Sequence, residues 1–366
     1  MVILPQLFRG GSSVRRYLIF STLTLAAMLS AVRPASAELT LLVGEPYGSF
    51  GTMMPVGHAS IYLDRVCADG PLKLRMCHAG EPQGVVIARY HRIGQLDWIA
   101  TPVLQFLFAT DDPREIPAYA TPEIINAMRE HYRLKYMREI VPDGTQKFKG
   151  TDEWWESAGM AYNRRLFGYQ IDTTVEQDEK LVLVMNADSN HRSYELNTAN
   201  CADFAATIIN LYFPGTVHRN HIADFGWMMP KQVARNLAAF GRANPQAHLR
   251  IIEIDQVPGS LRRSRPVRGA AEGLLKTKRY LATLLVIQPE VVPAALALYL
   301  DQGRWKLGAG AQLLDASAFV TPLRTGPDTS IAGSGSQEPG PSSTPAKSTN
   351  SPAANASSAR PTNIYF

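Results

Sequence analysis

The sequence predicts an α+β protein in which an antiparallel sheet packs against helices, and three observations carry that expectation. Short alternating or β-branched runs follow an apolar leader, capped amphipathic helices come after them, and no unit repeats along the 366 residues. Leu39 to Val43 is an apolar run that reads as the first strand. Gly44 to Pro55 is a loop rich in Gly and Pro. Val56 to Leu63 is the second strand, with His58, Ser60 and Tyr62 on one face and Ala59, Ile61 and Leu63 on the other. Ala68-Asp69-Gly70-Pro71 turns the chain, and Leu72 to Ala79 returns as the partner strand. Val85-Val86-Ile87 with Tyr90 makes a third.

Residues 100–160 read as a helical insertion. Thr121 caps a helix that has Pro122 at its first position, with Ile124, Ile125, Met128, Tyr132 and Tyr136 along one face. Trp154 and Trp155 follow, a pair that packs or lines a groove. Strands resume at Arg165 to Asp172 and Lys180 to Met185. Asn200 to Phe213 is an amphipathic helix ended by Pro214-Gly215. A helix from about Pro230, a strand from Leu249 to Ile254 and helical segments between Val267 and Leu300 complete the order.

The ends bound the folded part. Arg9, Arg15 and Arg16 precede an apolar run from Tyr17 to about Ala31, and Ala35-Ser36-Ala37 supplies the small residues of a cleavage site. The run is shorter than the roughly 20 apolar residues of a spanning helix, so residues 1–37 read as an export signal. Arg15-Arg16 also matches a twin-arginine pair in poor surroundings. Without the four arginines of that segment, 33 bases face 32 acids, a formal charge of +1. That near-neutral balance excludes nucleic acid as the expected partner. Residues 321–366 are a Ser/Pro/Ala-rich tail too poor in apolar side chains to fold, and Asn355 in it matches a glycosylation acceptor. Between the ends, 38–215 reads as the main domain and 216–320 as a C-terminal α/β extension.

The three cysteines sit in an exported and so oxidising setting. A turn centred on Asp69-Gly70 would put Cys67 and Cys77 roughly 16 Å apart along the hairpin. A disulfide tolerates about 7 Å between Cα atoms, so three free thiols are expected unless a longer loop shifts the register.

Asn200-Cys201-Ala202-Asp203-Phe204 places Cys201 in the first turn of a helix. Unsatisfied N–H groups and the positive end of the dipole favour a thiolate there, and the thiolate is the nucleophile. Such a nucleophile needs an imidazole held rigidly, and Gly57-His58-Ala59 offers one on a strand between small neighbours. His78, near the end of the expected partner strand, is the nearest group that could orient the ring.

The segments Gly57 to Leu63, Cys77-His78-Ala79-Gly80 with Gly84-Val85-Val86, and Asn200 to Phe204 together resemble the permuted branch of the NlpC-type papain-like superfamily. That branch includes the lecithin:retinol acyltransferase group. The resemblance spans about 35 residues of motif and implies a circularly permuted papain-like fold, its sheet packed against the cysteine-bearing helix. It implies His58 as base, His78 as orienting residue and Cys201 as nucleophile, with no cofactor. Tyr62, Asn200 and Asp203 are the flanking residues expected to meet substrate.

The implied chemistry is acyl transfer. His58 takes the Cys201 proton, the thiolate attacks an amide, ester or thioester carbonyl, and water or another acceptor releases the acyl group. An exported member would act on envelope peptides or acyl lipids. The alternative is a catalytically silent binding module on the same fold. Arg262, Arg263, Arg265 and Arg268 form a basic patch ahead of the apolar stretch Leu281 to Leu300. Gln288-Pro289-Glu290 interrupts that stretch, so it reads as two buried helices, or else as a membrane-surface hairpin spanning 262–300. His218, His221 and Asp224 lack the glutamate of a zinc-protease helix, and no metal is assigned.

Overall fold

The computed structural model describes residues 37–314, apart from 49–50, 52–53, 82–83, 92, 94–95 and 144–153. Residues 1–36 of the export segment and the tail, with Asn355, lie outside the described residues. The strands are β1 (Ala37–Gly44), β2 (His58–Leu63), β3 (Val66–Ala68), β4 (Leu74–Met76), β5 (Val85–Ala88), β6 (Ile99–Pro102), β7 (Leu166–Thr173), β8 (Arg250–Ile254) and β9 (Gln312–Leu313). The helices are α1 (Val103–Phe108), α2 (Pro122–Tyr132), α3 (Met160–Asn163), α4 (Val175–Ala187), α5 (Cys201–Tyr212), α6 (Pro230–Ala243), α7 (Ala270–Lys276), α8 (Lys278–Ile287) and α9 (Val291–Leu298).

Seven strands form one sheet in the order β6-β5-β2-β1-β7-β8-β9. All its pairings are antiparallel except that of β8 with β9. The fold is therefore α+β with a mainly antiparallel sheet. β1 and β2 pair from Leu39↔Leu63 to Gly44↔His58, which keeps the predicted alternation of β2. Its odd positions Ala59, Ile61 and Leu63 join Phe204, Ile208, Val233 and Leu237 of α5 and α6 in one core. On the other face, Leu42, Tyr62 and Val86 pack with Phe106 and Leu107 of α1 and Tyr162 of α3. Helices cover both faces, so every residue of β2 is buried. Each large apolar side chain so placed contributes about 1.5–3 kcal/mol.

Local chemistry explains the helices. Thr121 caps α2 with Pro122 at its first position, as the sequence predicts. Asn200 is extended and accepts from the N–H groups of Ala202 and Asp203, while Asp203 returns a bond to the Asn200 N–H. That reciprocal cap starts α5 at Cys201. The strand expected at Lys180 to Met185 is instead helical. Thr174 and Gln177 form a capping box that starts α4, and Leu181 and Met185 are its buried i, i+4 pair. The run Leu181-Val182-Leu183-Val184 imitates a strand, but the cap ahead of it decides.

The hairpin also departs from expectation. Residues 72–79 do not pair with β2. β4 pairs with β3 in a separate two-stranded sheet, in the register Cys67↔Arg75. A loop closed by the Asp69 N–H on the Lys73 carbonyl, longer than the assumed two-residue turn, shifts that register. Cys77 then lies diagonal to Cys67 on one face, and the two form a disulfide with Cα atoms 5.0 Å apart. Cys201 is the free cysteine.

The expected break at residue 215 does not divide the sheet, since β8 pairs with β7 across it. The apolar stretch 281–300 does form two helices interrupted at 288–290, but they are not buried. α8 buries no side chain, and Val286 and Ile287 are 83% and 70% exposed. No helix among the described residues is long and apolar enough to cross a membrane.

Candidate functional site

Cys201 opens α5, which packs against β2. β5 pairs with β2 only over residues 61–63, so the β5 side of residues 58–60 has no strand beside it. The first turn of α5 meets that stretch instead, and the N–H groups of Ala59 and Ala202 reach the Cys201 sulfur. The side chain is 6% exposed. Burial pushes the thiol up to about 11, against the pull of those two N–H groups. Desolvation outweighs the helix terminus here, and the resting sulfur is a neutral thiol.

His58 stands at the start of β2, one residue from Ala59. Its ring stacks on Tyr90 with centroids 5.2 Å apart and planes 17° from parallel. Burial pulls its pKa down to about 4, with Glu156 opposing and Arg164 reinforcing that shift. Its Nε2 is buried with no hydrogen-bond partner among the described residues. Cys201 and His58 thus reach the same end of β2 from different sides. The ring belongs to the face of Ser60 and Tyr62, while the helix carrying the sulfur packs on the face of Ala59, Ile61 and Leu63. No hydrogen bond joins them in this state.

His78 does not serve the ring. It follows β4, is exposed, and donates its backbone N–H to Glu81 at 2.7 Å. The hairpin bearing it springs from the Leu63 end of β2, so the strand alone sets it about 16 Å from His58. The expected role for His78 needs residues 72–79 beside β2, whereas β4 pairs with β3.

A different polar group occupies the His58 end. Glu156 Oε1 accepts from the Tyr47 hydroxyl and from Arg164, each at 3.3 Å. The Arg164 guanidinium lies 4.2 Å from the Tyr47 ring centroid. A Cβ on Gly44 would meet Arg164 Cδ at 2.7 Å, and Gly44 is the register partner of His58. Glu156 also acts electrostatically on both His58 and Cys201. Sequence reasoning missed Glu156, Arg164 and Tyr90 because Tyr90 lies more than sixty residues before the other two and neither stretch is near His58 in the chain. The faint signal was Glu156 beside the Trp154-Trp155 pair.

The remaining expected residues have structural roles. Tyr62 is a core side chain lying over Gly84, whose φ of +76 places it against the ring. Asn200 uses its oxygen for the α5 cap and its amide for the carbonyls of Leu196 and Met228. Asp203 completes the cap and pairs with Arg219. The basic residues do not gather into a bare patch. Arg263 pairs with Asp255 at 2.8 Å, Arg268 reaches Thr277 Oγ1, and the backbone N–H groups of Arg265 and Arg268 tie the segment to Pro46 and Pro55. Asp224 accepts from the Ala270 N–H rather than meeting His218 and His221 at a metal site. Among the described residues, the potential ligand cluster Cys67, Cys77 and Glu81 has both sulfurs in the disulfide.

No protein-family model and no curated protein matches the chain. A crystal structure of the type VI secretion system effector TseH is similar at 14% identity, covering 61% of this chain and 94% of that one, with a TM-score of 0.29. Likeness at that level carries no argument about fold or chemistry.

Proposed function

We propose that the chain is an exported, thiol-dependent hydrolase or acyltransferase on a permuted papain-like fold, with envelope peptides or acyl lipids as substrates. The observation that carries this reading is the arrival of the Cys201 sulfur at the Ala59 N–H, one residue from a buried His58 nitrogen that lacks a partner. Both groups rest neutral, so His58 acts as general base rather than in a preformed ion pair. In the reacting state its ring turns to the sulfur and takes the thiol proton. The sulfur adds to the carbonyl, the leaving group takes that proton back, and water then cleaves the thioester with His58 again as base. Glu156 is the acid placed to offset the charge of the imidazolium. Intact-mass analysis after incubation with envelope extract tests this. One acyl adduct on Cys201, absent in Cys201→Ala and formed more slowly in His58→Ala, is the expected result. Equal labelling of the wild type and His58→Ala overturns the assignment of His58.

The sealed thiol and the bare α8 favour a second reading, a catalytically silent module that binds envelope or membrane surface. Val286 and Ile287 would enter the surface, with the basic residues between Arg262 and Arg279 near the headgroups. This reading expects sedimentation with anionic vesicles that Val286→Glu with Ile287→Glu abolishes and Cys201→Ala leaves intact. Lack of sedimentation with such vesicles rejects it.

A further inference from the structure

The first turn of α5 meets β2 on one side and a cavity of about 300 Å³ on another. Asp203 lines that cavity two residues after Cys201, and so about 200° around the helix from the thiol. Three guanidiniums share the lining, those of Arg89, Arg192 and Arg219, with Thr198 and His218 beside them. Asp203 is the acid among the lining residues, and all three arginines act on its carboxyl. Two of them are built into the fold. Arg89 is 4% exposed, paired with Asp97, and set over the Phe204 ring at 5.4 Å. Arg219 pairs with Asp203 and donates to the carbonyls of Asn197 and Gly226 at 2.9 and 2.8 Å. The third, Arg192, is exposed and makes no hydrogen bond or ion pair among the described residues.

We infer that this cavity binds a small ligand through an oxyanion, a carboxylate or phosphate group, with Arg192 as the arm that closes on it. Asp97 and Asp203 each balance one arginine, so Arg192 leaves the lining with surplus positive charge. The N–H groups of Arg89 are spent on Asp97 and the Asn200 carbonyl, and those of Arg219 largely on Asp203 and two carbonyls. These two therefore supply mainly fixed charge, while the Arg192 guanidinium brings an unspent fork suited to planar or tetrahedral oxyanions. The volume lies at the lower end of the range for small-molecule sites, roughly 300–1,000 Å³. The site does not depend on the reactivity of Cys201, because binding is read directly.

Calorimetric titration of the full chain at low salt with inorganic pyrophosphate, and separately with glutarate, tests the inference. Saturable binding of either one is expected, and which of them binds tells phosphate from carboxylate. Arg192→Gln should weaken binding about tenfold through the loss of a charge-assisted bond. Lys180→Gln, an equal charge change on an exposed side chain of α4 outside the lining, should leave it unchanged. Failure of both probes to saturate overturns the site, as does equal binding by Arg192→Gln and wild type, or equal weakening by the two variants.

Discussion

Replacing His58 by Gln probes how tightly the end of β2 is closed. The unfolded ring takes a proton near pH 6.5, whereas the folded ring resists it down to about 4. Between those values the unfolded chain binds more protons, so acid shifts the balance toward unfolding. The contribution is fully present above pH 6.5 and is lost as pH falls toward 4. At about 1.36 kcal/mol per pKa unit, the whole effect is about 3.4 kcal/mol, of which about 2.5 kcal/mol is lost by pH 4.5. Urea unfolding of wild type and His58→Gln at pH 7.5 and 4.5, with the disulfide intact, measures it. Asp64 complicates the wild-type curve, because burial raises its pKa to about 7 and its contribution is lost as pH rises. Subtracting the variant removes that opposing term. The stability difference between wild type and variant should change by about 2.5 kcal/mol in favour of the variant on acidification. A difference that stays constant across this range would mean that water reaches the ring, and the closed-site reasoning would fall.

Glu156→Gln should lower the His58 titration seen by NMR and Arg164→Met should raise it, opposite shifts that a merely disordered site would not produce. Alkylation of folded Cys201 should be slow at pH 7.5 and accelerate about tenfold per pH unit toward its pKa near 11, with one adduct by mass; a plateau below pH 8 would indicate a stabilised thiolate instead. Replacing both Cys67 and Cys77 by Ala opens a bridge of sequence separation 10 and should cost about 2.7 kcal/mol by loop entropy, measured by urea midpoint. Asn200→Ala removes the α5 cap and two carbonyl contacts, and a loss of about 2 kcal/mol or more is expected in the same assay.

The sequence alone determined whatever depends on neighbours in the chain. The alternation in β2 assigned its two faces, and the run Asn200 to Phe204 placed Cys201 at a helix start. Pro122 and Thr121 marked α2 for the same local reason. What needed the tertiary structure was every pairing between distant segments. The loop at 69–73 set a register that made the Cys67–Cys77 disulfide and carried His78 away from His58. The early departure of β5 from β2 left the Ala59 N–H for the Cys201 sulfur, and Glu156, Arg164 and Tyr90 assembled around His58 from separate elements. Burial then decided protonation, because desolvation depends on the packing around a group and not on its place in the chain.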